Sequence, residues 1–216
     1  MNTAALRELI DRTKQEETTL GQLKLQLDKR VPHLHPTITL PDADVKGALS
    51  RFVTAYIEEV PEFLDAANDV AREAGIESQI KPVLKIAEDY FTCPPKLAAG
   101  HDGLAALLDE AYLAHRLVEE VNDLYIRHLG QPLIPLDMTV ANLIAHQLIG
   151  EPFANELDEV VHHSVEQMLG DESFELESVI AYRERLSSEA TGAAWKKWPC
   201  MSRRLGIGLE DVSQAE

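Results

Sequence analysis

His115, Glu119 and Asn122 are the residues of this chain best placed to do chemistry, because they are spaced i, i+4 and i+7. On a helix that spacing stacks three side chains as a ladder. His115 and Asn122 fall in the middle of an apolar face made by Leu107, Leu108, Ala111, Val118, Ile126 and Leu129. Glu59 and Gln147 are the polar residues nearest the core faces of their own helices. One imidazole with two carboxylates is a ligand set that holds a divalent metal. The five residues equally form a buried hydrogen-bond network, which is the ordinary fate of polar groups on an apolar face and the preferred reading here. A pocket lined by Tyr56, His115, Asn122 and Gln147 is a third use, suited to an apolar ligand with one polar group.

Other chemistry-bearing residues lack a set of partners. Glu159-Val160-Val161-His162 is the one Glu-x-x-His, a motif that di-iron carboxylate bundles need from two helices. Counted at about 100° per residue, both its side chains point away from the face of Phe153, Leu157, Val160, Ser164 and Met168, toward solvent. His33 and His35 flank Leu34 without acids or thiols nearby, which makes a weak chelate. No metal site is assigned and no motif names a cofactor. Cys93 and Cys200 each sit beside a proline, outside any Cys-x-x-Cys pair, and read as reduced thiols. There is no Gly-x-Ser-x-Gly elbow and no Walker loop, and Gly206-Ile207-Gly208 has no strand–turn–helix context. No catalytic residue is assigned. The tail offers a cationic aromatic strip, Trp195, Lys196, Lys197 and Trp198 followed by Arg203 and Arg204. Such a strip docks on the protein's own acidic body, on an acidic partner or on anionic lipid.

The element that must position the ladder is the stretch Leu104–Leu129, which has no proline or glycine to break a helix. A second apolar stripe, Leu113, Leu117 and Leu124, lies almost opposite the first, so this helix is expected to be packed on two sides. Asp109, Arg116, Glu120, Asp123 and Arg127 crowd the arc between them. The remaining pattern is helical as well. Residues 1–30 read as an appended N-terminal helix weakened at Gly21, and residues 31–41 as a proline-rich linker. Residues 42–189 read as an all-α core, and 190–216 as the cationic tail. Within the core, helices are expected over 42–74 with Pro61 inside, over 76–91, 104–129, 140–149 and 152–169, and over 172–188. The predicted fold is a single-domain all-α bundle of about six helices.

Charge bounds the partners. The net charge is −17, and residues 31–189 carry 29 acidic against 10 basic side chains. A body this acidic repels phosphate backbones, so nucleic acid is not an expected partner. No apolar run is long enough to span a membrane, and the start of the chain is not a signal peptide; the expected location is cytoplasmic. The leading expectation is a non-enzymatic interaction or regulatory module, with a protein partner or self-association. The alternatives are a metal-dependent helical-bundle enzyme using the His/carboxylate cluster, and a small-molecule-binding bundle with an apolar pocket.

Overall fold

The computed structural model describes residues 3–41, 43–97, 101–130, 132–134, 136–169 and 208–209. Among them the protein is an all-α bundle: α1 (Thr3–Leu20), α2 (Gln22–Arg30), α3 (Val45–Ala74), α4 (Glu77–Thr92), α5 (Leu104–Leu129), α6 (Thr139–Ile149) and α7 (Phe153–Met168). The helix expected over 172–188 lies outside the described residues. No helix among the described residues is long and apolar enough to cross a membrane.

The central helix α5 has the predicted bounds and is packed against each of the other six helices. Both predicted stripes are buried over most of their length: Leu107, Ala111 and Val118 on one side, Leu113 and Leu117 on the other. The last turns differ, for Ile126 is 48% exposed and Tyr125 takes the inward position. The charged arc is divided, with Asp123 and Arg127 exposed at its C-terminal end. Its middle, around Arg116, meets α7.

Where the spacing predicts one helix over 3–29 there are two. Gly21 adopts φ +61, the left-handed conformation that only glycine takes freely, and the chain turns there. The Leu23 N–H at the start of α2 is satisfied by Glu17 Oε1 at 2.8 Å, a side-chain cap from the end of α1. Leu6 and Ile10 of α1 and Leu23 and Leu27 of α2 are buried in the same core as α3 and α5. Around that apolar seam Thr3 Oγ1 donates to Asp65 at 2.8 Å, Arg7 pairs with Asp65 at 2.9 Å, and Lys14 pairs with Glu58. These exposed pairs set the angle of α1 more than they hold it.

The linker holds a single 3-10 turn, Val31–His33, and a two-residue strand β1 (Ile38–Thr39). It pairs antiparallel with β2 (Gly208–Leu209), Ile38 opposite Leu209. Helix α3 starts at Asp44, whose side chain accepts from the Gly47 N–H at 3.1 Å. It runs through Pro61 without interruption and buries Phe52, Tyr56, Val60, Phe63 and Ala67. It ends in a Schellman motif: Gly75 is left-handed at φ +66, its N–H donates to Arg72 O, and the Ile76 N–H donates to Ala71 O. Helix α6 buries Ala141, Asn142, Ile144, Ala145 and Leu148, and leaves Leu143 49% exposed.

Candidate functional site

The ladder on α5 separates into three different jobs. His115 is fully buried, and its Nε2–H donates to the Tyr56 carbonyl at 2.9 Å. That carbonyl lies next to the one, on Ile57, that Pro61 leaves without its helical donor. The imidazole lies between Tyr56 and Phe63, tilted by 47° and 46° to their rings, with centroids 4.3 and 5.3 Å away. Burial opposes its charged form and lowers its pKa to about 4. Its Nδ1 is buried without a hydrogen-bond partner among the described residues. Asn122 has nothing to do with His115. Its side chain clips the segment after α5 through both of its ends, Oδ1 accepting from the Ile134 N–H at 2.9 Å and Nδ2 donating to the Ile134 carbonyl at 2.5 Å.

Glu119 belongs to a third arrangement, built from residues the spacing did not single out. Tyr56 Oη donates to Asn142 Oδ1 at 2.6 Å, and Asn142 Nδ2 donates to Glu119 Oε2 at 2.5 Å. Arg116 Nη1 donates to the same Glu119 oxygen at 2.7 Å, and its Nε donates to Asp158 Oδ1 at 3.0 Å. Tyr112 Oη donates to that Asp158 oxygen at 2.9 Å, and Glu120 lies 3.7 Å from Arg116. The network thus ties α3, α6, α5 and α7 through one guanidinium. Burial and the nearby carboxylates hold the Tyr56 and Tyr112 phenols well above their usual range, and the bonds to Asp158 and Glu119 keep Arg116 charged.

Glu59 is buried on α3, and Gln147 is only half-buried because the inward face of α6 is that of Asn142. Of the predicted cluster, His115, Glu119 and Asn122 are thus turned to three different sets of partners. Among the described residues no three His, Cys, Asp or Glu side chains gather where they could hold a metal ion. Glu159 and His162 are exposed, and His162 sits 3.5 Å from Glu120 and 3.3 Å from Glu166. His33 and His35 are exposed, with His35 Nδ1 2.7 Å from Thr37 Oγ1. Trp195, Lys196, Lys197, Trp198, Arg203 and Arg204 lie outside the described residues.

The site with room for a ligand lies elsewhere on α5, one to two turns from its start. A pocket of about 160 Å³ opens between α5, α7, residues 94–97 and His101. Pro94, Pro95 and Leu97 form one wall, Leu113 another, and Phe153 and Leu157 of α7 the third. Three titratable groups complete it: His101, Asp109 and Glu110. His101 Nδ1–H donates to the Asp109 carboxylate at 2.8 and 3.1 Å, and its ring stands edge-on to Phe153 at 5.5 Å. With Nδ1 carrying the proton, Nε2 accepts from the Gln26 amide at 3.3 Å. His101 thereby separates the pocket from a wider depression of about 630 Å³ along α2, lined by Gln22, Gln26, Lys29, Arg30 and His33.

Asp109 and Glu110 are unequal. Burial raises the pKa of both, but Asp109 has the His101 bond to offset it. Glu110 is raised to about 8 by burial first and by the neighbouring Asp109 charge second. Its Oε2 is shut from solvent and has no hydrogen-bond partner among the described residues. A buried acceptor left in that state costs about 1–3 kcal/mol, which a bound donor would return. Comparison with known protein families, curated proteins and solved structures gives no match to this chain.

Proposed function

We propose that the protein is a binding bundle whose pocket between α5, α7 and residues 94–97 takes a small, largely apolar molecule. The observation that supports this is the combination of seven apolar lining residues with one unsatisfied carboxyl oxygen, on Glu110. Ligand sites have this composition: apolar walls for affinity, few polar groups for orientation. The volume suits a ligand of one ring, since an engineered protein cavity of about 150 Å³ holds benzene. Toluene is the probe. It is expected to raise the midpoint of thermal unfolding and to move the NMR signals of Leu97, Leu113 and Leu157. Ala106→Phe, at the partly exposed edge of the pocket, is expected to abolish both effects with the fold retained. Shifts that persist in Ala106→Phe would place the toluene elsewhere and remove the reading. A cytoplasmic setting and a reduced, exposed Cys93 go with it.

A second reading, an interaction module that associates with a protein partner or with itself, is favoured by the concentration of charge, −17 over 216 residues. That charge argues against nucleic acid as the partner. If the cationic tail mediates self-association, the full chain runs above its monomer mass of 24.0 kDa in light scattering and returns to it when residues 190–216 are deleted. An unchanged mass would take the tail out of the reading. The metal-dependent enzyme draws no support from His115 and Glu119, because among the described residues no three His, Cys, Asp or Glu side chains gather where they could hold a metal ion.

A further inference from the structure

We infer that the ligand of the α5–α7 pocket is a small primary amine, bound as its ammonium with one N–H donated to the Glu110 carboxylate and its apolar body among Leu113, Phe153 and Leu157. The inference rests on the small-molecule reading above and adds the chemical class. Its basis is the sign of the lining. The pocket is lined by two carboxyls, Asp109 and Glu110, and one imidazole, His101, and α7 and residues 94–97 bring Pro94, Pro95, Leu97, Phe153 and Leu157, which carry no charge. Once Glu110 is ionised, the lining sets two carboxylates against one imidazole, so a carboxylate or phosphate ligand is disfavoured and a cation is favoured. The polar vacancy has the matching sense. Glu110 Oε2 is an acceptor without a donor among the described residues, and an ammonium is a donor three times over with nothing to accept. Asp109 is already bonded to His101, which leaves Glu110 as the group to be answered. The size agrees as well, for the pocket of about 160 Å³ has room for one ring and little more.

Binding has a proton consequence. In the empty pocket burial and the Asp109 charge keep Glu110 protonated at neutral pH, with a pKa of about 8. An arriving ammonium favours the carboxylate, so the Glu110 proton leaves to the buffer as the ligand enters, about 0.9 proton per ligand at pH 7. Affinity consequently rises with pH, on the order of 50-fold from pH 6 to pH 8, and falls again where the free amine loses its own proton, near the range of a lysine. Asp109 and His101 are the other titratable groups facing Glu110 across the pocket.

The experiment is calorimetry on the full chain with benzylamine, benzyl alcohol, benzoate and toluene, at pH 6, 7 and 8 and in two buffers of different ionisation enthalpy. Benzylamine is expected to bind at least about tenfold more tightly than benzyl alcohol or toluene at pH 8, with proton release at pH 7, and benzoate not at all. Glu110→Gln keeps the shape of the side chain and removes its charge. It is expected to abolish the advantage of benzylamine over benzyl alcohol and the proton release. If toluene binds and benzylamine binds no better than benzyl alcohol, the amine assignment is overturned and the small-molecule reading stands. If none of the four binds, the small-molecule reading falls and the assignment falls with it.

Discussion

Arg116→Met is expected to lower the unfolding free energy by about 3 kcal/mol, the largest effect of any single change in the core network. The guanidinium sits among three carboxylates, Glu119 at 2.7 Å, Asp158 at 3.0 Å and Glu120 at 3.7 Å, whose side chains are 19–32% exposed. Removing it leaves those carboxylates partly desolvated and facing one another, and it leaves Tyr112 and Asn142 donating to unneutralised charge. Methionine retains the aliphatic stem that packs along α5, so the loss reports the charge and not a cavity. Breaking a fully buried pair costs about 3–5 kcal/mol, and the partial exposure places this one at the low end. Adding Glu119→Gln to the variant removes one of the stranded charges and is expected to recover part of the loss. Arg7→Met, which breaks a pair with Asp65 that is 44% and 45% exposed, should cost less than about 1 kcal/mol. Urea unfolding followed by circular dichroism measures all three. A loss for Arg116→Met as small as that for Arg7→Met would show the network to be screened like a surface pair.

The second large effect is on pH dependence. His115 has a folded pKa of about 4, set by burial, against about 6.5 in the unfolded chain. A base depressed in this way is neutral in both states above pH 6.5 or so, and there it contributes no pH dependence. As pH falls from there toward 4, the unfolded chain takes up a proton that the folded chain refuses, and stability is lost by up to about 3 kcal/mol. Since the side chain is entirely buried, solvent screening does not reduce the figure. His115→Leu has no proton to refuse. The expected result is that the stability difference between wild type and variant shifts in favour of the variant by about 3 kcal/mol between pH 7 and pH 4, measured by urea titration at each pH. A difference that stays constant with pH would mean that the imidazole is solvated or charged in the folded protein.

The fold was legible because the apolar positions of α3, α4, α5 and α7 repeat at the helical period, and because Gly75, Gly103, Gly130 and Pro152 mark their ends. The two opposed stripes of α5 announced a helix buried on both sides. The site was less legible, for two physical reasons. On α6 the spacing sets Gln147 among Val140, Leu143 and Ile144, but of these only Ile144 is buried, and the packed face runs through Ala141, Asn142, Ala145 and Leu148. Small alanines allow the close approach that favours it, and hydropathy does not register that. On α5 the charged arc resembled a solvent face, yet Asp109, Arg116 and Glu120 find His101, Asp158 and His162 across it. Those partners lie 8, 42 and 42 residues along the chain. Only a helix known to face α7 would turn Arg116 from a surface cation into the centre of a network. His115 was visible as a polar residue on an apolar face, but its partner is a backbone carbonyl, which leaves no trace in residue types.

One helix that touches all six others has a consequence for how the protein comes apart. Among the described residues no cut leaves two pieces that each own a core, because either piece would have to take α5 with it. The helices before α5 and those after it are layers on a shared axis and not modules in sequence, so the bundle is gained or lost as one cooperative unit.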